Sequence, residues 1–289
     1  MSESPPVTVV TGASRGAGRG VAIALGSHGC TVYVTGRSAK EGDHPLPGTI
    51  FETAEAVTRA GGRGIAVQVD HADDAQTRAL FDRVQDEHGK LDILVNNAAA
   101  IKDAMSTRGP FWDKPLDLVD VTTVGLRSSY VATHMAMPLL IASGRGLVAF
   151  TSSSGGVHYM MGPAYGVHKA GLDKMAADFA VDFKRAKVPV SAVSVWMGSV
   201  LTDRMRAIVA AQPDKLGHVL ETAESPEFTG HVIWALYTAP DLTEMNGQSV
   251  IGAEMAQKYG IEDEGGRQPP SIRNTLKVEP RVPYPVSIN

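Results

Sequence analysis

Cysteine is almost missing from this chain. Cys30 is the single thiol among 289 residues, so an internal disulfide is excluded and a reducing compartment suits the protein. It stands at the mouth of a strand-like run and reads as a small buried hydrophobe rather than a nucleophile. The nine histidines show no zinc-ligand spacing beside that thiol, so no metal is expected. No apolar run is long enough to span a bilayer. The opening Met1-Ser2-Glu3-Ser4-Pro5-Pro6 has neither the basic region nor the apolar core of a signal peptide. Together these point to a cytoplasmic protein without a membrane span. Positive charge is not in excess: the formal net charge is −4, which argues against a nucleic-acid partner. Internal repeats and interdomain linkers are absent as well.

What is present reads as one large α/β domain. Hydrophobic residues at 43% and charged residues at 20% are ordinary for a globular protein of this length. Short apolar runs at 7–10, 31–35, 65–69, 93–96, 146–151, 190–196 and 248–251 read as strands, with helical segments between them. The helix over 72–88 has Asp73 as its expected N-cap and Gly89 as its stop. Repeated strand–helix units imply a doubly wound parallel sheet with helices on both faces. We assign residues 1–264 to that domain, with a substrate loop near 199–225, and 265–289 to a proline-rich tail. Pro283-Tyr284-Pro285-Val286 gives the tail some apolar grip, so an ordered arm near the pocket or a subunit boundary is expected. Residues 38–48 and the aromatic-bearing 107–112 read as loops.

Two stretches carry chemistry. The first runs from the strand Val7–Val10 through Thr11-Gly12-Ala13-Ser14-Arg15-Gly16-Ala17-Gly18 into an apolar helix. Glycines there let backbone approach a pyrophosphate, and the free N–H groups at the helix start face the anion. The second is Tyr165-Gly166-Val167-His168-Lys169, with Ser152 thirteen residues before the tyrosine. A tyrosine and a lysine four apart share one helix face. The ammonium favours the phenolate and so lowers a tyrosine pKa that is ordinarily near ~10. A serine hydroxyl beside the pair would orient a carbonyl oxygen.

With Asn96-Asn97-Ala98-Ala99 between them, these motifs stand in the order found in the short-chain dehydrogenase/reductases. The chain resembles that family over roughly residues 7 to 252. Phe111-Trp112, Val124-Gly125-Leu126-Arg127, Tyr159-Met160, Pro163-Ala164-Tyr165-Gly166-Val167 and Lys258-Tyr259-Gly260-Ile261 also resemble its subgroup called dehydrogenase/reductase member 1. The resemblance implies a single Rossmann-type sheet with a dinucleotide across its C-terminal edge. It implies hydride transfer between nicotinamide and a carbonyl or secondary alcohol. Tyr165 would act as acid/base, Lys169 would hold the nicotinamide ribose, and Ser152 would hold the substrate oxygen. Gly12, Ser14, Arg15, Gly16, Ala17 and Gly18 would cradle the nucleotide. Asp70 would meet the adenine, Asn97 and Ala98 the ribose edge, and Val200 with Thr202 the nicotinamide amide, with Gly198 keeping the backbone freedom beside the cofactor.

The departures are specific. Ala99 replaces a common glycine, and Met197-Gly198 replaces a proline–glycine pair. Ala17 stands where isoleucine is common, and the asparagine that supports a proton relay in relatives should fall near Gly125. NAD-preferring relatives carry an acid at the end of the second strand, whereas this chain has Thr35-Gly36-Arg37. Arg37 and Arg15 together suit a 2′-phosphate, so NADP(H) is favoured over NAD(H). The alternative reading is a dinucleotide-binding sensor or scaffold with little turnover, which Gly125 supports slightly. His158, Tyr159, Met160, Met161, Trp112 and Trp196 suggest an apolar substrate pocket with some polar edges, while each equally suits packing. Leu172, Met175, Ala176, Phe179 and Phe183 exceed what a solvated helix needs. Part of that stripe is expected on the sheet and part on a partner, giving a homodimer or homotetramer.

Overall fold

A computed structural model describes residues 4–282, so Pro283-Tyr284-Pro285-Val286 of the tail lies outside the described residues. The strands and helices alternate in the order β1 (Val7–Val10), α1 (Gly16–Ser27), β2 (Thr31–Gly36), α2 (Ile50–Arg59), β3 (Arg63–Gln68), α3 (Asp74–His88) and β4 (Ile93–Asn96). Then come α4 (Ser128–Ala142), β5 (Gly146–Ser152), α5 (Pro163–Ala186), β6 (Val190–Trp196) and α6 (Asp203–Ala211). The single-turn α7 (Pro213–Leu216) and α8 (Val219–Thr222) precede α9 (Phe228–Thr238), β7 (Ser249–Ile251), α10 (Gly252–Tyr259) and α11 (Ile272–Leu276). β3 begins and ends slightly earlier than its apolar residues suggest, and β5 runs one residue further, to Ser152.

The strands form one parallel sheet in the order β3-β2-β1-β4-β5-β6-β7. Valine-rich strands suit it because both faces are covered. Alternation sends Val10, Val32, Val34, Ile93 and Val95 to one core with Val21, Leu25, Phe228, Val232 and Leu236. It sends Val9, Tyr33, Leu94, Val148 and Phe150 to the other, with Leu80, Phe81, Val84, Leu139 and Leu140. Local signals bound the helices. Thr49 and Glu52 make a reciprocal capping box on α2, and the Asp73 carboxylate accepts from the Ala75 and Gln76 N–H groups, with Gly89 ending α3.

The connection direction reverses between β1 and β4, which opens a crevice at their C-terminal ends. From the end of β4 to α4 the chain makes short turns, the last a π-helical turn over Thr122–Arg127. The apolar stripe of α5 is spent mostly inside the chain: Leu172, Ala176 and Phe183 are buried, and Met175 and Phe179 pack against the same core. The first part of the tail packs on the domain. Ile272 packs with Trp196, Ile251 and Ala253, while Ser271 and Arg273 bond Glu254. No helix among the described residues is long and apolar enough to cross a membrane.

Candidate active site

A cavity of about 810 Å³ opens along the C-terminal edge of the sheet, from Arg37 and Asp70 at one end to Tyr165 and Lys169 at the other. Its floor is the turn after β1. Gly12 takes φ +65°, and a Cβ there would meet the Ala98 Cα at 2.7 Å, so only glycine lets this turn close on the loop after β4. The Thr11 hydroxyl accepts from the Asn97 and Ala98 N–H groups at 2.9 and 3.0 Å. Asn97 Nδ2 donates to the Thr11 and Gly12 carbonyls at 2.8 and 3.1 Å. The start of α1 has no side-chain cap and no acid in its first turn. Ser14, Gly16, Ala17 and Gly18 line the cavity around it. Bare N–H groups at the head of a 12-residue helix, inside an elongated slot, fit a dinucleotide pyrophosphate. Thr202 faces the turn: its Cγ2 lies 3.5 Å from where a Gly16 Cβ would stand. Arg204 of α6 reaches Asp103 and the Ile101 carbonyl, strapping the mouth.

The two arginines differ. Both line the cavity, but Arg15 has a second task. Arg15, read as a second phosphate partner, also holds the neighbouring loop: its Nε donates to Pro47 O at 3.1 Å and its Nη2 to Gly48 O at 2.7 Å. It thereby ties down the 38–48 loop, whose Asp43, His44 and Leu46 form a wall of the cavity. Burial, then the Arg37 charge, lowers the Arg15 pKa.

At the other end the serine assignment changes. Ser152 closes β5, is fully buried, and points away from the phenol, with its Oγ near the Lys169 carbonyl at 3.4 Å. Ser153 Oγ instead lies 2.9 Å from the Tyr165 hydroxyl. Strand alternation explains the switch. Thr151 lines the cavity, so the next side chain turns to the opposite face and Ser153 returns. Ser152 joins a structural group under α5. The Asp173 carboxylate there accepts from Ser194 Oγ at 2.6 Å and Trp196 Nε1 at 2.9 Å, and also bonds Ser152.

Lys169 Nζ donates to the Thr151 carbonyl at 2.9 Å and sits 5.5 Å from the centre of the Tyr165 ring. Burial pushes the Lys169 ammonium down to about 8, partly offset by Asp173. The tyrosine does not follow the simple expectation of a lowered pKa. Burial raises it, and only the Ser153 hydrogen bond opposes that rise.

Gly198 and Val200 do not line the cavity. The Gly198 N–H donates to Glu224 Oε1 at 2.8 Å, and Val200 bridges Glu224 in strand-like fashion. Nor do Trp112, His158, Tyr159, Met160, Met161 or Trp196 line it. Trp196 is fully buried, while Trp112 and Tyr159 are 72% and 76% exposed. Sequence reasoning missed Thr151, which stands one residue before Ser152 on β5, and His44, Lys102 and Arg204, which segments distant in sequence bring into the lining.

Glu224 is another residue without a sequence signal. It is 2% exposed, and its Oε2 has no partner among the described residues. Burial pushes its carboxyl up to about 7, against the Gly198 N–H and with help from the Asp263 charge. A carboxyl raised on folding contributes stability below its unfolded value, and that stability is lost as pH rises through about 7. Glu224→Gln should therefore melt higher than wild type at pH 8, by about 3 kcal/mol at most. The gap should close toward pH 4. Thermal melts at the two pH values test this; a variant no more stable at pH 8 would refute it.

The family described as short chain dehydrogenase matches residues 6–213. Dehydrogenase/reductase SDR family member 1 of Mus musculus is 37% identical over 272 residues, covering 90% of this chain and 84% of that protein. A solved structure from Xanthomonas campestris superposes with a TM-score of 0.76 at 27% identity, over 93% of this chain and 94% of that one. A 3-oxoacyl-[acyl-carrier protein] reductase from Brucella melitensis, solved with NAD, superposes with a TM-score of 0.71 at 25% identity, over 87% and 96%.

Proposed function

The chain belongs to the short-chain dehydrogenase family of nicotinamide-dependent oxidoreductases, and from that premise we propose that it reduces a small-molecule carbonyl, or oxidises the matching secondary alcohol, with NADP(H). The observation that carries the chemistry is the 2.9 Å contact between Ser153 Oγ and the Tyr165 hydroxyl at one end of the cavity. When bound, the nicotinamide supplies or takes the hydride. Tyr165 gives its phenolic proton to the carbonyl oxygen in reduction and takes it back in oxidation. Its raised pKa keeps the phenol protonated at neutral pH, as reduction requires. Ser153, in place of Ser152, donates to the same oxygen and orients it. Lys169, still largely charged near neutral pH, holds the ribose side of the nucleotide. Gly12, Ser14, Gly16, Ala17, Gly18, Asp70, Asn97, Ala98 and Thr202 hold the rest. NADPH oxidation against a panel of ketones, aldehydes and acyl-thioesters tests the reading, with Tyr165→Phe as the control.

Preference for the phosphorylated nucleotide rests on Arg37, since Arg15 is occupied with the 38–48 loop. Removing one charge-assisted phosphate contact and adding a ribose acceptor should act in the same direction. Arg37→Asp is expected to lower the NADPH-to-NADH ratio of kcat/KM by roughly 10- to 100-fold. Equal affinity of wild type for NADH and NADPH would overturn this assignment.

A further inference from the structure

Gly125 and His168 meet. A Cβ on Gly125 would stand 2.5 Å from His168 Nε2 and 2.6 Å from its Cε1. The imidazole therefore fills, from α5, the space that a side chain at 125 would take from the π-helical turn. The contact is reciprocal: a Cβ on Gly171 of α5 would meet Leu126 Cδ1 at 2.6 Å. Two side chains, one from each element, thus lodge against glycines of the other. The lock lies directly behind the acid/base pair. His168 precedes Lys169, and its ring stands edge-on to the Tyr165 ring, at 89° with centres 6.2 Å apart. Packing alone does not call for an imidazole, because Nδ1 is buried with no partner among the described residues. The nearby charges are Lys169 and, one turn on, Asp173. Arg127, at the end of the π turn, is directed outward to Asp74 at 2.6 Å.

We propose that His168, seated in the slot left open by Gly125, is a positioning residue that holds the Tyr165 ring and keeps water from its phenol. This rests on the reading of Tyr165 as the acid. Three consequences follow for His168→Ala, which removes the ring without creating a clash. Water reaches the phenol, so the Tyr165 ionisation moves to lower pH. The alkaline limb of the kcat profile for reduction moves with it, since the phenol must be protonated. Carbonyl reduction slows by tenfold or more, while NADPH Kd stays within twofold. Refilling the slot from the other side, in Gly125→Asn with His168→Ala, should bring kcat back to within about threefold of wild type and return the limb. Gly125→Asn alone carries the clash and is not needed for the decision.

The experiment measures kcat against pH, NADPH Kd and melting temperature for wild type, His168→Ala and the double variant. Tyrosinate absorbance, taken as the difference from Tyr165→Phe in each background, reads the same ionisation without turnover. A wild type that turns over while His168→Ala keeps both kcat and the tyrosinate titration unchanged overturns this proposal alone. So does a double variant whose titration and kcat remain those of His168→Ala. A wild type without turnover overturns the reductase reading, and the tyrosinate titration still decides whether His168 shields the phenol.

Discussion

Tyr165→Phe is expected to lower kcat for carbonyl reduction by about 10³-fold or more, with NADPH Kd within twofold of wild type. The substitution deletes one oxygen from a ring that otherwise keeps its contacts with His168 and with the buried face of α5. In the proposed site the nucleotide would be held by the glycine turn, Asn97 and Lys169, none of which the phenol supports. A general acid removed from the transition state lowers kcat and kcat/KM together, which separates this from a loss of substrate binding. Stopped-flow or steady-state rates beside a fluorescence titration of NADPH make the comparison. Retention of most of the activity would remove Tyr165 from the reaction.

The second large effect is a contrast between adjacent serines. Ser153→Ala should cost roughly 10²-fold in kcat, because it removes a hydrogen-bond donor aimed where the substrate oxygen develops charge. Its effect on folding should be small, since Ser153 Oγ otherwise serves the Tyr165 hydroxyl and the Gly155 N–H. Ser152→Ala should do the reverse. It takes one donor from Asp173 and costs about 1–2 kcal/mol of stability, with kcat within a fewfold of wild type. Rates and urea melts of the two variants decide the assignment. A catalytic loss confined to Ser152→Ala would restore the thirteen-residue spacing as the guide and refute the geometric one.

That contrast marks where the sequence stops being legible. The sheet could be read because its strands are valine-rich runs separated by glycine stops, and both signals are local. The glycine turn and the Tyr165–Lys169 pair could be read because each lies within one element, where helix period and backbone sterics act directly. Ser152 against Ser153 could not be settled by spacing. β5 runs one residue past its expected end, and the parity of a strand decides which hydroxyl faces the phenol. Strand parity was the available signal, had the end of β5 been known. Arg15 illustrates a different limit. Its place in the glycine turn is visible, but its partners are the Pro47 and Gly48 carbonyls, more than thirty residues away. Gly198 and Val200 likewise depend on Glu224, which carries no motif at all. Gly125 reads as a gap in the chemistry until the fold brings the His168 ring against it.

If this cavity moves a hydride between NADP(H) and a carbonyl carbon, with Tyr165 handling the proton, an isotope on the nicotinamide must reach the product. The most direct measurement is turnover with NADPH deuterated at C4 of the nicotinamide, followed by mass analysis of the alcohol product. Deuterium from one face of the nicotinamide is expected on the former carbonyl carbon. The transfer is expected to be lost in Tyr165→Phe, with NADPH still bound. Product without deuterium from either C4 face, or no carbonyl turned over by wild-type protein that binds NADPH tightly, would contradict it.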